Sequence, residues 1–116
     1  AVIGPAPDAA AVGVGPVAWG SAGEMNQAIR ILDGHGSKAG GALHQEGQAV
    51  FRWATTQVAP VALRAIELAG LTPADIDVFV PHQANLRIVE AVVKKLRRHG
   101  AREDMRVADD IVYSGN

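Results

Sequence analysis

Residues 76–99 of this chain read IDVFVPHQANLRIVEAVVKKLRRH and predict one strand, one turn and one helix. Residues 76–80 are mostly β-branched or aromatic, which favours a strand, and Pro81 ends it because proline has no N–H to donate. Asn85 is a preferred helix N-cap, and apolar residues recur at helical spacing over residues 86–99. The polar turn therefore lies between the carboxyl end of a buried strand and the start of a helix.

Helices are predicted on both sides of this strand. Apolar residues recur every three or four positions from Gln48 to Ala69, and Gly70 is a good C-terminal stop. Pro60 cannot donate to the carbonyl four residues before it, so we expect a kink or a local break there. A further strand is predicted over residues 105–108. The order of helix, strand and helix predicts an α/β architecture with a buried parallel sheet.

Three shorter segments complete the predicted organisation. Thr72, Pro73 and Asp75 form a helix-start pattern, with a capping residue, a proline at the first position and an acid at the third. Valines alternate with glycine and proline over residues 12–17, which predicts a bulged strand. Residues 33–41 are rich in glycine and predict a flexible loop.

The composition of the chain excludes several classes of function. It has 116 residues, of which 48% are hydrophobic, with 11 Lys and Arg against 12 Asp and Glu and no cysteine. This length fits one domain, and the chain has no disulfide, thiolate metal site or thiol nucleophile of its own. No apolar run reaches the ~20 residues of a membrane span, and the near-neutral charge disfavours a nucleic-acid partner. His35 and His44 lack further ligands at metal-binding spacing, so we expect no metal site.

The turn residues His82 and Asn85 are the first candidates for chemistry. In open α/β sheets, ligands bind beyond the carboxyl ends of the strands, and an imidazole can donate or accept a proton near neutral pH. Two structural alternatives stay open at this point. His82 could be a satisfied structural histidine, and Asn85 could serve only as the N-cap of the helix.

The helix predicted after this turn is strongly basic. On a helical wheel, Arg87, Lys94, Lys95 and Arg98 lie opposite the apolar arc. Residues 86–102 hold six of the 11 Lys and Arg of the chain and only one acid. Such a surface suits phosphate groups or an acidic protein, and the alternative is an ordinary solvated helix face.

Several segments resemble β-ketoacyl-acyl-carrier-protein synthase III, a family of the thiolase superfamily. They are VPHQANLRI at residues 80–88, EGQAVFRWA at 46–54 and VAWGS at 17–21. The terminal Gly115-Asn116 also resembles the start of the family's Gly-Asn-Thr-Ser motif. Within this family, the sequence most resembles actinobacterial members.

The resemblance implies a thiolase-like αβαβα layered fold that is built from two similar halves and usually forms a homodimer in the cytoplasm. Residues 1–116 would form most of the C-terminal half, and residues 1–4 would be the last strand of the N-terminal half. The chain begins without Met and stops inside the Gly-Asn motif. We therefore expect a fragment that is inactive alone, since the Cys nucleophile would lie in the missing half.

The resemblance also assigns roles to individual residues. Family members join an acyl group from coenzyme A to malonyl-acyl-carrier protein by decarboxylative Claisen condensation, which initiates fatty acid or polyketide synthesis. By motif position, His82 and Asn116 match the catalytic His and Asn that act on the malonyl thioester. Gln48, Phe51 and Asn85 match substrate-binding positions along the pantetheine tunnel. No cofactor is implied, because coenzyme A and phosphopantetheine thioesters are substrates.

Four basic residues match the family's docking surface for the acidic acyl carrier protein, namely Arg52, Arg87, Lys94 and Lys95. The sequence departs from the family pattern at Gln48, where Asn is frequent, and over residues 97–109, which are longer and more charged. The second departure favours a specialised member such as a priming synthase of polyketide assembly.

Two other functions compete with this interpretation. One is a thiolase-superfamily acyltransferase or condensing enzyme that acts on coenzyme A thioesters without a carrier protein. The other is a non-catalytic module that binds nucleic acid through the basic helix, which the lack of interleaved aromatic residues disfavours.

Overall fold

The computed structural model describes residues 13–32, 41–83 and 85–107. Its elements in chain order are β1 (Ile29–Leu32), β2 (Ala42–Gln45), α1 (Gly47–Leu68), β3 (Val78–Phe79), α2 (Leu86–Arg98) and β4 (Arg106–Val107). Short 3-10 helices lie at Gly23–Met25 and Pro73–Asp75. None of the helices in this described part is long and apolar enough to cross a membrane.

The packing of α2 on α1 forms the hydrophobic core. Four residues of α2 are buried, Val89, Val92, Val93 and Leu96, and they recur at the helical spacing that the sequence predicts. On α1 the buried residue is Ala59, whose small side chain lets the two helices approach closely. Ala101 and Met105, which follow α2, extend the same cluster. Both predicted helices are confirmed, and so is the apolar face of α2. On α1 only Ala59 is buried, and the apolar residues Phe51 and Val61 are exposed.

Strands β3 and β4 pair in parallel, as the helix–strand–helix order predicts. Val78 lies opposite Arg106 and Phe79 opposite Val107. Both strands are shorter than predicted, and Ala108 lies outside the described residues. Phe79 packs on the core, whereas Val78 is 39% and Val80 is 66% exposed. Burial on both faces is therefore not seen among the described residues, because the pleat sends alternate side chains to opposite faces and only one face is covered.

Helix α1 runs through Pro60 without the predicted local break. Proline leaves the carbonyl of Thr56 without its usual donor, but both residues are exposed, so water can bind that carbonyl. The hydroxyl of Thr56 donates to the carbonyls of Arg52 and Trp53, each at 2.9 Å, which ties it to the preceding turn. The helix ends as predicted before Gly70, whose φ of 71° is a left-handed conformation that favours glycine.

The segment before β3 begins with the predicted helix start. The backbone N–H and the hydroxyl of Thr72 both donate to Asp75 Oδ2, at 2.8 and 2.7 Å. These two hydrogen bonds hold the pKa of the Asp75 carboxyl below its ordinary value, because they stabilise the ionised form. The turn thereby fixes the direction in which the chain enters β3.

The first third of the described chain differs most from prediction. Residues 13–17 form no strand, so that part of the bulged strand predicted over 12–17 is wrong, while residue 12 lies outside the described residues. The ordered element is instead the antiparallel hairpin of β1 and β2, in which Ile31 pairs with Leu43. Residues 33–40 of the predicted loop, including His35, also lie outside the described residues.

Truncation of Leu96 to Ala should lower the free energy of unfolding by about 2–5 kcal/mol, because it leaves a cavity between α1 and α2. Leu96 is 2% exposed, whereas Leu86 on the same helix is 52% exposed. Leu86→Ala is the matched control and should change stability by less than about 1 kcal/mol. Urea denaturation followed by circular dichroism measures both variants, and equal effects would contradict the proposed core.

Candidate functional site

His82 lies at the carboxyl end of β3, on the short loop that leads into α2. It is exposed, whereas Pro81 and Gln83 are half-buried and Ala84 lies outside the described residues. Because β3 and β4 are parallel, their carboxyl ends meet at the same edge of the sheet. Val107, the last described residue of β4, therefore lies at the same edge of the sheet as the start of the His82 loop. Asn116 itself lies outside the described residues.

Asn85 forms the N-cap of α2, as the sequence predicts. Its Oδ1 accepts a hydrogen bond from the backbone N–H of Arg87 at 3.0 Å, and its backbone is extended. The cap satisfies one of the free N–H groups of the first turn and fixes where the helix begins. The cap uses Oδ1 and leaves the amide group Nδ2 outside this hydrogen bond. A contact between the Asn85 side chain and a substrate stays a prediction.

The other predicted binding residues lie in the first two turns of α1. Gln48, Phe51 and Arg52 are exposed, and Phe51 and Arg52 lie three and four positions after Gln48, which places each of them beside Gln48 on the helix surface. They follow Glu46, whose backbone N–H donates to the carbonyl of Ala28 at 2.8 Å. This hydrogen bond ties the start of α1 to the β1–β2 hairpin.

An exposed ion pair lies immediately before these residues, and sequence reasoning did not identify it. His44 Nε2 lies 2.9 Å from Glu46 Oε1. The hydrogen bond and the charge of His44 hold the pKa of the Glu46 carboxyl below its ordinary value. The only signal in the sequence was the spacing of two residues, which carries little information by itself.

The basic residues of α2 and its following loop form two groups. Arg87, Lys94 and Arg98 are exposed, and among the described residues none of the three has an ion pair. The ammonium of Lys95 instead donates to the carbonyl of Thr55 on α1 at 2.5 Å and is partly buried. The helical wheel placed Lys95 with the other three, but its long side chain reaches across to α1, which a wheel does not show.

The two remaining cations bind acidic residues. Arg97 Nη2 donates to the carbonyl of Glu103 at 2.9 Å, and its Nε lies 3.4 Å from Glu103 Oε2. Arg102 Nη2 lies 2.8 Å from Asp77 Oδ1, and Arg102 Nε lies 3.1 Å from Asp104 Oδ1. Three of the six cations therefore have no ion pair among the described residues, whereas the other three bind groups of the protein. The sequence did not indicate this difference.

The arrangement supports binding and proton chemistry at one end of the sheet. The hydrogen bond from Lys95 to Thr55 places α2 alongside the first third of α1, one turn beyond Phe51. Among the described residues, no group of three or more His, Asp or Glu could hold a metal ion. The polar groups described at the His82 edge itself are the imidazole of His82, the side-chain amide of Asn85 and the guanidinium of Arg87.

Comparisons with known proteins identify relatives over the whole chain. A family model described as "3-Oxoacyl-[acyl-carrier-protein (ACP)] synthase III C terminal" matches residues 66–116. β-Ketoacyl-[acyl-carrier-protein] synthase III 2 of Streptomyces avermitilis is 51% identical over 116 residues, which is 100% of this chain and 34% of that protein. The mycobacterial β-ketoacyl-[acyl-carrier-protein] synthase III of Mycobacterium ulcerans is 44% identical over 110 residues, covering 90% of this chain and 32% of that protein. The chain spans about a third of the length of these curated relatives.

Solved structures give the same result at the level of fold. The priming β-ketosynthase of the R1128 polyketide biosynthetic pathway superposes with a TM-score of 0.75 at 38% identity, covering 90% of this chain and 32% of that one. 3-Oxoacyl-(acyl carrier protein) synthase III of Pseudomonas aeruginosa gives a TM-score of 0.61 at 30% identity, covering 75% of this chain and 26% of that one. The predicted α/β, thiolase-like fold class is confirmed.

Substitution of Asn85 tests its role as the N-cap of α2 separately from any contact with a substrate. Asn85→Ala should destabilise the chain by about 1 kcal/mol, because it removes the acceptor of the Arg87 N–H. Asn85→Ser keeps a capping oxygen and should retain most of that stability. Denaturant unfolding gives the stabilities, and amide hydrogen exchange at Arg87 reports the cap directly. Unchanged exchange in Asn85→Ala would show that the cap is not formed in solution.

Proposed function

Since the chain is homologous over its whole length to β-ketoacyl-acyl-carrier-protein synthase III proteins, we propose that it forms part of a ketosynthase III. The complete protein condenses an acyl-coenzyme A starter with malonyl-acyl-carrier protein and so initiates fatty acid or polyketide synthesis. The single observation that carries this proposal is the place of His82, on the loop between β3 and the N-cap of α2, inside the stretch that resembles the family.

The chemistry of the reaction explains why His82 and Asn116 are needed. The bond between the malonyl carboxylate and the α-carbon breaks, CO₂ leaves, and the electron pair forms an enolate. The α-carbon then attacks the acyl thioester on a Cys, whose thiolate leaves. The enolate oxygen carries negative charge that preorganised donors stabilise. We assign this role to the His82 Nε2–H and to the side-chain amide of Asn116, neither of which needs to be charged.

The proposed substrate path leads to His82 along α1. Gln48 and Phe51 would contact the pantetheine arm, and their exposure in the first turns of α1 supports this assignment. Asn85 would contribute its amide Nδ2, since Oδ1 serves as the helix cap. These polar groups would hold the amides of the arm, while the ring of Phe51 would cover its apolar carbons.

The proposed docking surface for the acyl carrier protein consists of Arg52, Arg87, Lys94 and Lys95. Complementary charge raises the rate of encounter with an acidic partner more than it raises affinity. Arg87 and Lys94 are exposed and suited to such encounters. The ammonium of Lys95 already donates to Thr55, so we expect a smaller contribution from Lys95.

The rest of the proposed enzyme follows from the same assignment. Residues 1–116 would be most of its C-terminal half, with residues 1–4 as the last strand of the other half. The Cys nucleophile would lie in that N-terminal half, because this chain has no cysteine. The enzyme would be a cytoplasmic homodimer and need no metal or organic cofactor. The similarity to a priming β-ketosynthase supports a starter-selecting role.

In the complete protein, His82→Ala should lower the rate of malonyl decarboxylation and condensation by about 10²–10³-fold, as expected for the loss of one enolate donor. Transfer of the acyl group to the Cys nucleophile should stay largely intact. Release of labelled CO₂ measures the first step, and mass spectrometry of the acylated protein measures the second.

The control for this variant is His99→Ala, since His99 is exposed at the opposite end of α2 and should not affect either step. Normal condensation by His82→Ala would overturn the assigned role. Condensation with malonyl-coenzyme A that equals the rate with malonyl-acyl-carrier protein would favour the alternative enzyme that uses no carrier protein.

The isolated chain should show no condensation, because it has no thiol to hold the acyl group. The assay incubates the 116-residue chain with acetyl-coenzyme A and malonyl-acyl-carrier protein and detects the β-ketoacyl product by mass spectrometry. The complete protein at the same concentration is the positive control. If the isolated chain forms the product faster than a reaction without protein, the nucleophile cannot lie only outside this chain, and the assignment is wrong.

A further inference from the structure

An open groove of about 560 Å³ runs along the C-terminal half of α2 and the loop that leads to β4. Its lining residues are Glu90, Val93, Lys94, Arg97, Arg98 and Glu103. Of the proposed docking residues only Lys94 belongs to it, so most of the groove has no role in the function proposed above. The buried Val93 gives it an apolar floor, and charged side chains form its rims.

The cations of the groove are not equivalent. Arg97 is held by Glu103, both through its carbonyl at 2.9 Å and through its carboxylate at 3.4 Å. Lys94 and Arg98 are exposed, and neither has an ion pair among the described residues. The positive charge that a partner can reach in the groove therefore comes from these two side chains.

The two free cations continue a stripe that begins at Arg87. Residues 87, 94 and 98 fall within about 40° of one another on the helix and span about 16 Å along its axis. Like charges one turn apart repel each other in a free helix, so this alignment is not explained by the stability of α2. Cations near a helix C-terminus do complement its dipole, and Lys95, Arg97 and Arg98 all lie in the last turn of α2. That effect does not account for Arg87 in the first turn, or for the alignment of Arg98 with Arg87 and Lys94 on one side of the helix.

From this geometry we infer that the groove extends the docking surface, with Arg98 as an additional contact for an acidic helix of the carrier protein. This inference rests on the proposed function and adds to it the part of the carrier protein that would bind, an acidic helix. The length of the stripe corresponds to about three turns of a facing helix. Glu90, which has no ion pair among the described residues, would repel acids placed elsewhere on the partner and so restrict how it can lie.

The chemistry of the groove favours a protein over a nucleic acid. None of its described lining residues is aromatic, so these residues offer no surface on which bases could stack. The carboxylate of Glu90, which has no ion pair among the described residues, would repel a continuous phosphate backbone, whereas an acidic helix presents separate charges that can avoid it.

The test uses the complete protein with malonyl-acyl-carrier protein and acyl-coenzyme A as separately varied substrates. Arg98→Gln should raise the apparent KM for the carrier protein about two- to fivefold, as expected for one exposed charge pair, and Arg98→Glu should raise it further. The dependence of this KM on salt should become shallower. Arg98→Lys should restore most of the wild-type value, and the KM for acyl-coenzyme A should not change.

Arg64→Gln is the matched control, because Arg64 is an exposed arginine on α1 that pairs with Glu67. It should leave both KM values unchanged. An Arg98→Glu protein with wild-type carrier-protein KM overturns the inference, as does an equal rise in the KM for acyl-coenzyme A, which would indicate a phosphate site.

Arg87→Glu distinguishes the inference from the proposal on which it rests. If Arg87→Glu raises the KM for the carrier protein and Arg98→Glu does not, the docking surface stands and its extension fails. If neither affects the carrier protein, the docking assignment itself fails. If the complete wild-type protein shows no condensation, the proposed function fails before the groove is tested.

Discussion

The contact between Ala59 of α1 and the buried face of α2 is the interaction on which the rest of the described structure depends. Because the side chain at position 59 is a single methyl group, α2 lies close enough to bury Val92 and its neighbours completely. That packing orients α2, and the Asn85 cap then fixes where α2 begins. The His82 loop is held between this cap and β3. Its position therefore depends on how α2 packs on α1 more than on the residues of the loop.

The same contact explains how the outward face of α2 is organised. Because one side of the helix packs on α1, Arg87, Lys94 and Arg98 are the exposed cations of α2, while the ammonium of Lys95 donates to the carbonyl of Thr55. The surface offered to a partner is therefore narrower than the number of basic residues implies. A charge count describes the helix as uniformly basic, but the packing decides which charges a partner can meet.

The sequence was most informative where one physical preference dominates. Helical periodicity predicted α1 and α2 because their burial is one-sided, and cap chemistry predicted Thr72 and Asn85 because few residues suit those positions. It failed where context decides. Helix α1 continues through Pro60, so the local break is wrong, while the kink stays a prediction. The β1–β2 hairpin was not predicted because the nine residues between its strands give no compact turn signal. Lys95 was misplaced on the outer face because a wheel ignores the reach of its side chain.

The parallel register of β3 and β4 has a consequence for the diversity of related chains. The backbone N–H of Arg106 donates to the carbonyl of Asp77 at 3.0 Å, and Arg102 reaches the carboxylate of the same residue. The connection from α2 to β4 is thus clamped at its far end, so extra residues can be inserted into it without shifting the strand. Length variation in this loop can therefore change the rim of the basic surface while the sheet edge beside the His82 loop stays in place.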